Sequence, residues 1–270
     1  MHRWLNRDPI GEGADDLCLY AFVVNSPGNW IDLFGLRTYA IGSEIEPSVS
    51  FDEDFVFAPN SRATTRDRLS LAGWRTLLVG AESIGHLADA TRLYRHYLSG
   101  SGTDMSINYE KAYKEDENVR KSIHDAIVEA QKAAESLAAS NPSGFSMCSN
   151  AGYSTHYPST ENWQKAIGDH LIWGYAVVDC CKDEFEMSLR LRELDRYNFN
   201  RGAADLATGL PDNANGRFAT LGWAKSFLTR GTVERTVTWR RGDIPGTTRV
   251  DKNGRSRRDR GRGRERPRGR

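Results

Sequence analysis

The chain has 270 residues, of which 39% are apolar and 27% charged, and this is enough for one sizeable core or two modest ones. No apolar run reaches the roughly 18 residues that a membrane-spanning helix needs, and the start MHRWLNRDP lacks the apolar middle of a signal peptide. The formal charge of +1 is unevenly spread: residues 249–270 carry eleven Lys or Arg against three acids, or +8, which leaves −7 for residues 1–248. An acidic body argues against a nuclease, whose groove must offset phosphate charge, so nucleic acid is not expected as the partner. The tail RSRRDRGRGRERPRGR has no apolar residue to bury and reads as a basic disordered segment. Four cysteines, Cys18, Cys148, Cys180 and Cys181, show no metal spacing and read as free thiols with small structural roles.

The first segment, residues 3–36, runs RDPIG at 7–11, an acidic loop GEGADDLC, an aromatic stretch LYAFVVNSP at 19–27, and then DLFGL. In that order it resembles the end of the conserved core of Rhs (YD-repeat) proteins, where RDPIG, NLYxYVxNxP and DPxGL follow one another. Leu33 stands where that pattern has proline, and Cys18 where it commonly has asparagine. The resemblance implies a remnant, residues 1–36, of a large β-shell that encloses a toxin and ends in an aspartyl-type self-protease. Arg7, Asp8 and Asp32 would then belong to the protease site, with Leu36 the residue before the cut. Two carboxylates sharing a proton can activate water against a peptide bond, but a fragment without its shell is not expected to cut itself. The payload would be residues 37–248, followed by the tail at 249–270. Its implied role is that of a secreted effector in interbacterial competition, delivered by a contact-dependent system such as type VI secretion. The implied partners are the parent shell, a cognate immunity protein and a target-cell substrate.

Residues 37 to about 85 mix Pro, Ser, Gly and single apolars and read as loops with short elements. Over Ile84 to Leu98, Leu87, Ala90, Tyr94 and Tyr97 recur at helical spacing and stop at SGSG, predicting an amphipathic helix. The next helix is the plainest element: Val119, Ile123, Ile127, Ala130, Ala134 and Leu137 form one stripe, with acids before it and NPSG after it. A short helical turn over ENWQKAIGD leads into a strand from Leu171 to Val178. After the turn CCKDE, Phe185, Met187, Leu189 and Leu191 alternate with polar residues, so the two runs predict an antiparallel hairpin. GTVERTVTW alternates again, with Arg235 breaking its apolar face. Helices over 84–140 followed by strands over 162–241 predict an α+β payload.

The densest polar stretch is LDRYNFNRGAADLATGLPDNANGRF, at 194–218. Asp195 or Asp205 can act as general base, its oxygens can hold a divalent cation, and Arg201 or Arg217 can bind phosphate. Asp, Asn and Gly are also what turns are made of. His170 is a second candidate, an acid–base partner or a buried structural histidine, because the strand starting at Leu171 pairs with the one leading to Asp195. His156 is a loop histidine with a weaker claim. The sequence contains no P-loop, HExxH or GxSxG. Asp195 and Tyr197 resemble the first two positions of the DxYD element of colicin M-type toxins, which cleave lipid-linked peptidoglycan precursors, although Asn198 replaces the second acid and no His-Arg pair follows. That resemblance implies a periplasmic hydrolase of an envelope precursor such as lipid II, with Asp195, Tyr197, Arg201, His170 and Asp205 as site residues. The rival expectations are a membrane-permeabilising toxin, inserting the 84–98 or the alanine-rich helix, and a cytoplasmic enzyme acting on nucleic acid or nucleotide.

Overall fold

The computed structural model describes residues 30–32, 37–51, 53–59, 61–202 and 212–244. Arg7, Asp8, Leu36 and Asp205 therefore lie outside the described residues, as does the basic tail.

The fold is α+β. Three long strands form the centre: β6 (Leu171–Cys181), β7 (Glu184–Tyr197) and β8 (Phe227–Arg240). Strict alternation makes them amphipathic ribbons. Leu171 pairs with Leu194 and Cys181 with Glu184 across a tight turn at which Lys182 takes a positive φ of 58°. The hairpin predicted for 171–192 is thus present and longer than expected. Shorter strands extend the sheet. β4 (Phe145–Ser149) lies beside β6, followed outward by β2 (Thr38–Ile41) and β1 (Trp30–Asp32), while β3 (Met105–Ser106) adds in parallel to β8 on the other edge. β5 (Gly152–Tyr153) pairs with the start of β6. The boundary expected after Leu36 lies in sequence between β1 and β2, which pair with each other, Asp32 with Thr38.

One face of the sheet is covered by helices. α4 (Glu117–Ala138) buries Val119, Ile123, Ile127, Ala130 and Ala134, as its stripe predicts. α3 (Tyr109–Glu115), α5 (Glu161–Ala166) and α6 (Asn213–Thr220) are short, and α2 (Ala88–Ser99) buries Leu93 and Tyr97.

Two expectations need correction. Residues 37–85 are not only loops with short elements: besides β2 they hold the long helix α1 (Thr65–Ile84), closed at its start by a reciprocal Thr64–Asp67 capping box. Gly73, Gly80 and outward-facing leucines blur its period. The helix predicted over 84–98 begins at Ala88, because Ile84 ends α1 and Gly85, at φ 77°, terminates that helix in the left-handed region.

The opposite face of the sheet carries an acidic segment across a row of arginines. Glu44 pairs with both Arg190 and Arg192, Glu46 with Arg230, and Glu53 with Arg196.

Candidate functional site

The helix-facing row of β7 is Phe185, Met187, Leu189 and Leu191, all buried, and it continues into Glu193 and Asp195. Alternation forces both acids onto the covered side. Glu193 is 1% exposed. Thr229 Oγ1 donates to its Oε1 at 2.8 Å and the Gly231 N–H donates to the carboxyl, while Oε2 has no partner. Burial outweighs these bonds and raises the pKa to about 8, so Glu193 holds its proton near neutrality. Asp195 lies two residues on, partly exposed, opposite Thr229. Burial, and then the negative charge of Glu193, push its carboxyl well above the usual carboxylate range. The two carboxyls lie two residues apart on one face, Glu193 enclosed and Asp195 on a partly exposed residue, and the charge of one raises the other.

Gly231 makes room for this arrangement. A Cβ there would lie 2.6 Å from Tyr109 Cβ and 3.2 Å from Glu193 Oε2. Tyr109 enters that space from the start of α3, and its hydroxyl lies 2.8 Å from His170 Nε2. The other ring nitrogen of His170 is 3.1 Å from the Gly168 carbonyl, which can only accept, so Nδ1 carries the proton and Nε2 accepts from Tyr109. His170 is fully buried, and burial lowers its pKa to about 4 against the raising effect of the Gly168 bond. It is a neutral histidine at the same end of the sheet as Asp195, with both nitrogens engaged. Further along, Arg37 is buried beneath α4. Its guanidinium pairs with Glu129 and donates to the carbonyls of Ile172 and Tyr153 at 3.2 and 3.3 Å. A polar layer therefore crosses the helix-facing side of the sheet from Arg37–Glu129, through His170–Tyr109, to Glu193–Asp195–Thr229.

The remaining expected site residues are dispersed. Tyr197 stacks on Phe227 at 5.1 Å and meets Phe199 edge-on at 5.9 Å. Burial raises its hydroxyl pKa, and the neighbouring Tyr97 and Asp195 add to the effect, so it stays a proton donor. Arg201 turns away from the carboxyl pair: its N–H donates to Asp54 at 2.7 Å and its guanidinium lies 5.2 Å from the Phe55 ring centre. Asp212 precedes α6, Asn215 accepts from the Tyr94 hydroxyl at 2.6 Å, and Arg217 pairs with Asp67. His156 is at the surface beside Asp125. Asp32 is described only through its backbone pairing with Thr38. Cys148, Cys180 and Cys181 are free thiols. Among the described residues no group of three or more His, Cys, Asp or Glu is arranged to hold a metal; Asp205, in the stretch that could hold a divalent cation, lies outside them.

Glu193, Tyr109, Thr229, Arg37 and Glu129 were not among the residues expected from sequence. One local signal existed: the alternating row of β7 does not end at Leu191 but runs on, in register, to two acids. Two surface clefts lie elsewhere. One of about 410 Å³ lies on the other face of the same strand end, lined by Leu194, Arg196 and Leu228 under the acidic segment; one of about 560 Å³ surrounds the hairpin tip at Cys180 and Trp239. No protein-family model, curated protein or solved structure matches the chain.

Proposed function

We propose that this chain is the C-terminal end of an Rhs polymorphic toxin, and that its payload is a hydrolase working through the Glu193–Asp195 pair on an envelope precursor. The toxin reading is supported by the ordered series RDPIG, LYAFVVNSP and DLFGL within residues 3–36. The observation that carries the hydrolytic reading is the carboxyl pair: an enclosed Glu193 with an unpartnered oxygen beside Asp195, a partly exposed residue on the same strand face. Burial favours the proton on both carboxyls, so in this scheme the active form is the one in which the pair has lost one proton, and Asp195, then ionised, takes a proton from water as the water oxygen bonds to the electrophilic centre. The protonated Glu193 steadies the negative charge that builds on the oxygen of the electrophilic centre, and the bond to the leaving oxygen breaks as Asp195 returns the proton to it. Tyr197, which keeps its hydroxyl proton, is available as a donor at the rim.

The test is the full chain directed to the periplasm or to the cytoplasm of a sensitive bacterium, with and without Asp195→Asn. Killing only from the periplasm, reduced at least ~100-fold by the substitution, is the expected outcome. Killing only from the cytoplasm would replace the envelope reading with a nucleotide or nucleic-acid substrate. Depolarisation that survives Asp195→Asn would replace it with permeabilisation.

A further inference from the structure

The face of the sheet opposite the carboxyl pair carries four arginines that the polar layer does not use. Alternation along β7 puts Arg190, Arg192, Leu194 and Arg196 on that side, and Arg230 of β8 stands directly across from Leu194. Glu234 and Asp104 supply part of the counter-charge, to Arg190 and Arg230. The rest comes from one stretch, 44–53, whose described residues form neither helix nor strand. Glu44 meets Arg190 at 2.8 Å and Arg192 at 2.6 Å, Glu46 meets Arg230, and Glu53 meets Arg196. Backbone bonds hold the chain on either side of the stretch, Gly42 N to the Ser146 carbonyl at 3.0 Å and Ala58 N to the Ala219 carbonyl at 3.2 Å. The stretch itself fits its seat loosely: a cleft of about 410 Å³ lies among Pro47, Val49, Phe51, Leu194 and Leu228, and Arg196 Nε is buried without an acceptor.

The four arginine side chains keep between 27% and 40% of their surface in solvent, so each ion pair competes with water and exchanges with any other carboxylate that arrives. We infer that this face is a docking surface for an extended acidic segment of a partner protein, for which residues 44–53 are the tethered stand-in. The occupant on the arginines is itself a peptide. Its acids Glu44 and Glu46 stand at alternate positions, which an extended backbone sets about 6–7 Å apart, and they reach arginines of neighbouring strands. A partner segment with the same acids and a bulkier apolar side chain fills the cleft against Leu194 and Leu228. A carboxylate that takes both Nε and Nη2 of Arg196 satisfies the donor that Glu53, bound to Nη2, leaves unpaired. A phosphate polymer has charge for the arginines but nothing apolar to set against the two leucines, so the cleft selects peptide over nucleic acid. The inference goes beyond the hydrolase reading and is independent of it, since Glu193 and Asp195 lie on the other face of β7.

The test uses a fluorescent peptide with the sequence of residues 43–54, SEIEPSVSFDED, and the full chain, with anisotropy as the readout. The basic tail attracts any acidic peptide and is present in every arm, so only differences between variants are read. In the parent the tether keeps the competing carboxylates at high local concentration. Glu44→Gln/Glu46→Gln/Glu53→Gln removes that competition and should bind the peptide at least ~10-fold more tightly than the parent. Adding Arg190→Gln/Arg192→Gln to the triple variant should abolish the gain, and raising the salt should shrink it. Circular dichroism checks that each variant is folded; Glu46→Gln alone should give a smaller gain in the same direction and carries the test if the triple variant does not fold. Equal binding by the parent and the Glu→Gln variants would overturn the inference, as would a gain that survives the loss of Arg190 and Arg192. Inorganic polyphosphate serves as the rival probe: a gain for polyphosphate with none for the peptide would overturn the choice of a peptide and assign the face to phosphate.

Discussion

Glu193 and His170 are both neutral near pH 7, yet burial gives their protonation opposite consequences for stability. The folded pKa of Glu193, about 8, lies above its ordinary 4.5. Stability is therefore complete below pH 4.5 and is lost as pH rises toward 8, by up to roughly 5 kcal/mol. Asp195 acts in the same direction. His170 is depressed from 6.5 to about 4, so its contribution is complete above pH 6.5 and lost as pH falls toward 4, by up to roughly 3 kcal/mol. Between 4.5 and 6.5 the slopes oppose; between 6.5 and 8 only the carboxyls act. Glu193→Gln keeps an acceptor for Thr229, and urea unfolding across pH 6.5–8 should show its stability falling less steeply than that of the parent. Parallel curves would remove Glu193 as the source. At this scale the sequence pointed to His170 and Asp195, because the pairing of Leu171 with Leu194 follows from alternation and a short turn. Tyr109 had no local mark, since its role exists only once α3 is docked over Gly231.

At the scale of elements, Asp116 joins two helices. It caps α4 by accepting from Asn118 N and Val119 N, and it also accepts from the backbone of Ser159 and Thr160 and the Thr160 hydroxyl, just before α5. Burial would raise its pKa, but the hydrogen bonds prevail and lower it. Asp116→Ala leaves these donors without an acceptor and should cost at least about 3 kcal/mol in chemical denaturation, with Asp116→Asn costing less. The capping half of this role was legible as acids opening the α4 stripe. The link to α5 was not, because the two ends are more than forty residues apart. α1 escaped the sequence reading for a different reason. Its apolar residues face both the protein and the solvent, so no single stripe emerges, and only the Thr64–Asp67 box marked its start.

Across the whole molecule, Arg37 ties the outer strands to the helical layer. It is anchored by Glu129 of α4 and by the carbonyls of Ile172 and Tyr153, immediately after the expected cleavage point. Arg37→Ala removes the counter-charge of the buried Glu129 carboxylate and should destabilise by about 3–5 kcal/mol. Arg37→Met combined with Glu129→Leu should recover most of that loss, because an apolar pair needs no counter-charge. Urea midpoints of the three variants read both effects. If the double variant is as unstable as Arg37→Ala, packing rather than charge is what Arg37 supplies.

The order of helices before long strands, the buried stripe of α4 and the alternation of β6, β7 and β8 were determined by the sequence alone, since periodicity within one element records which side must leave water. Tertiary structure decided which buried sides meet. The polar layer takes Arg37 from the position before β2, Glu129 from α4, Tyr109 from α3 and Glu193 from β7, and contacts so distant along the chain leave no periodic trace in it. α1 is the converse case: its apolar residues show no single period in the sequence, and only the packed molecule shows that Leu78 is buried while Leu69 and Leu77 are exposed.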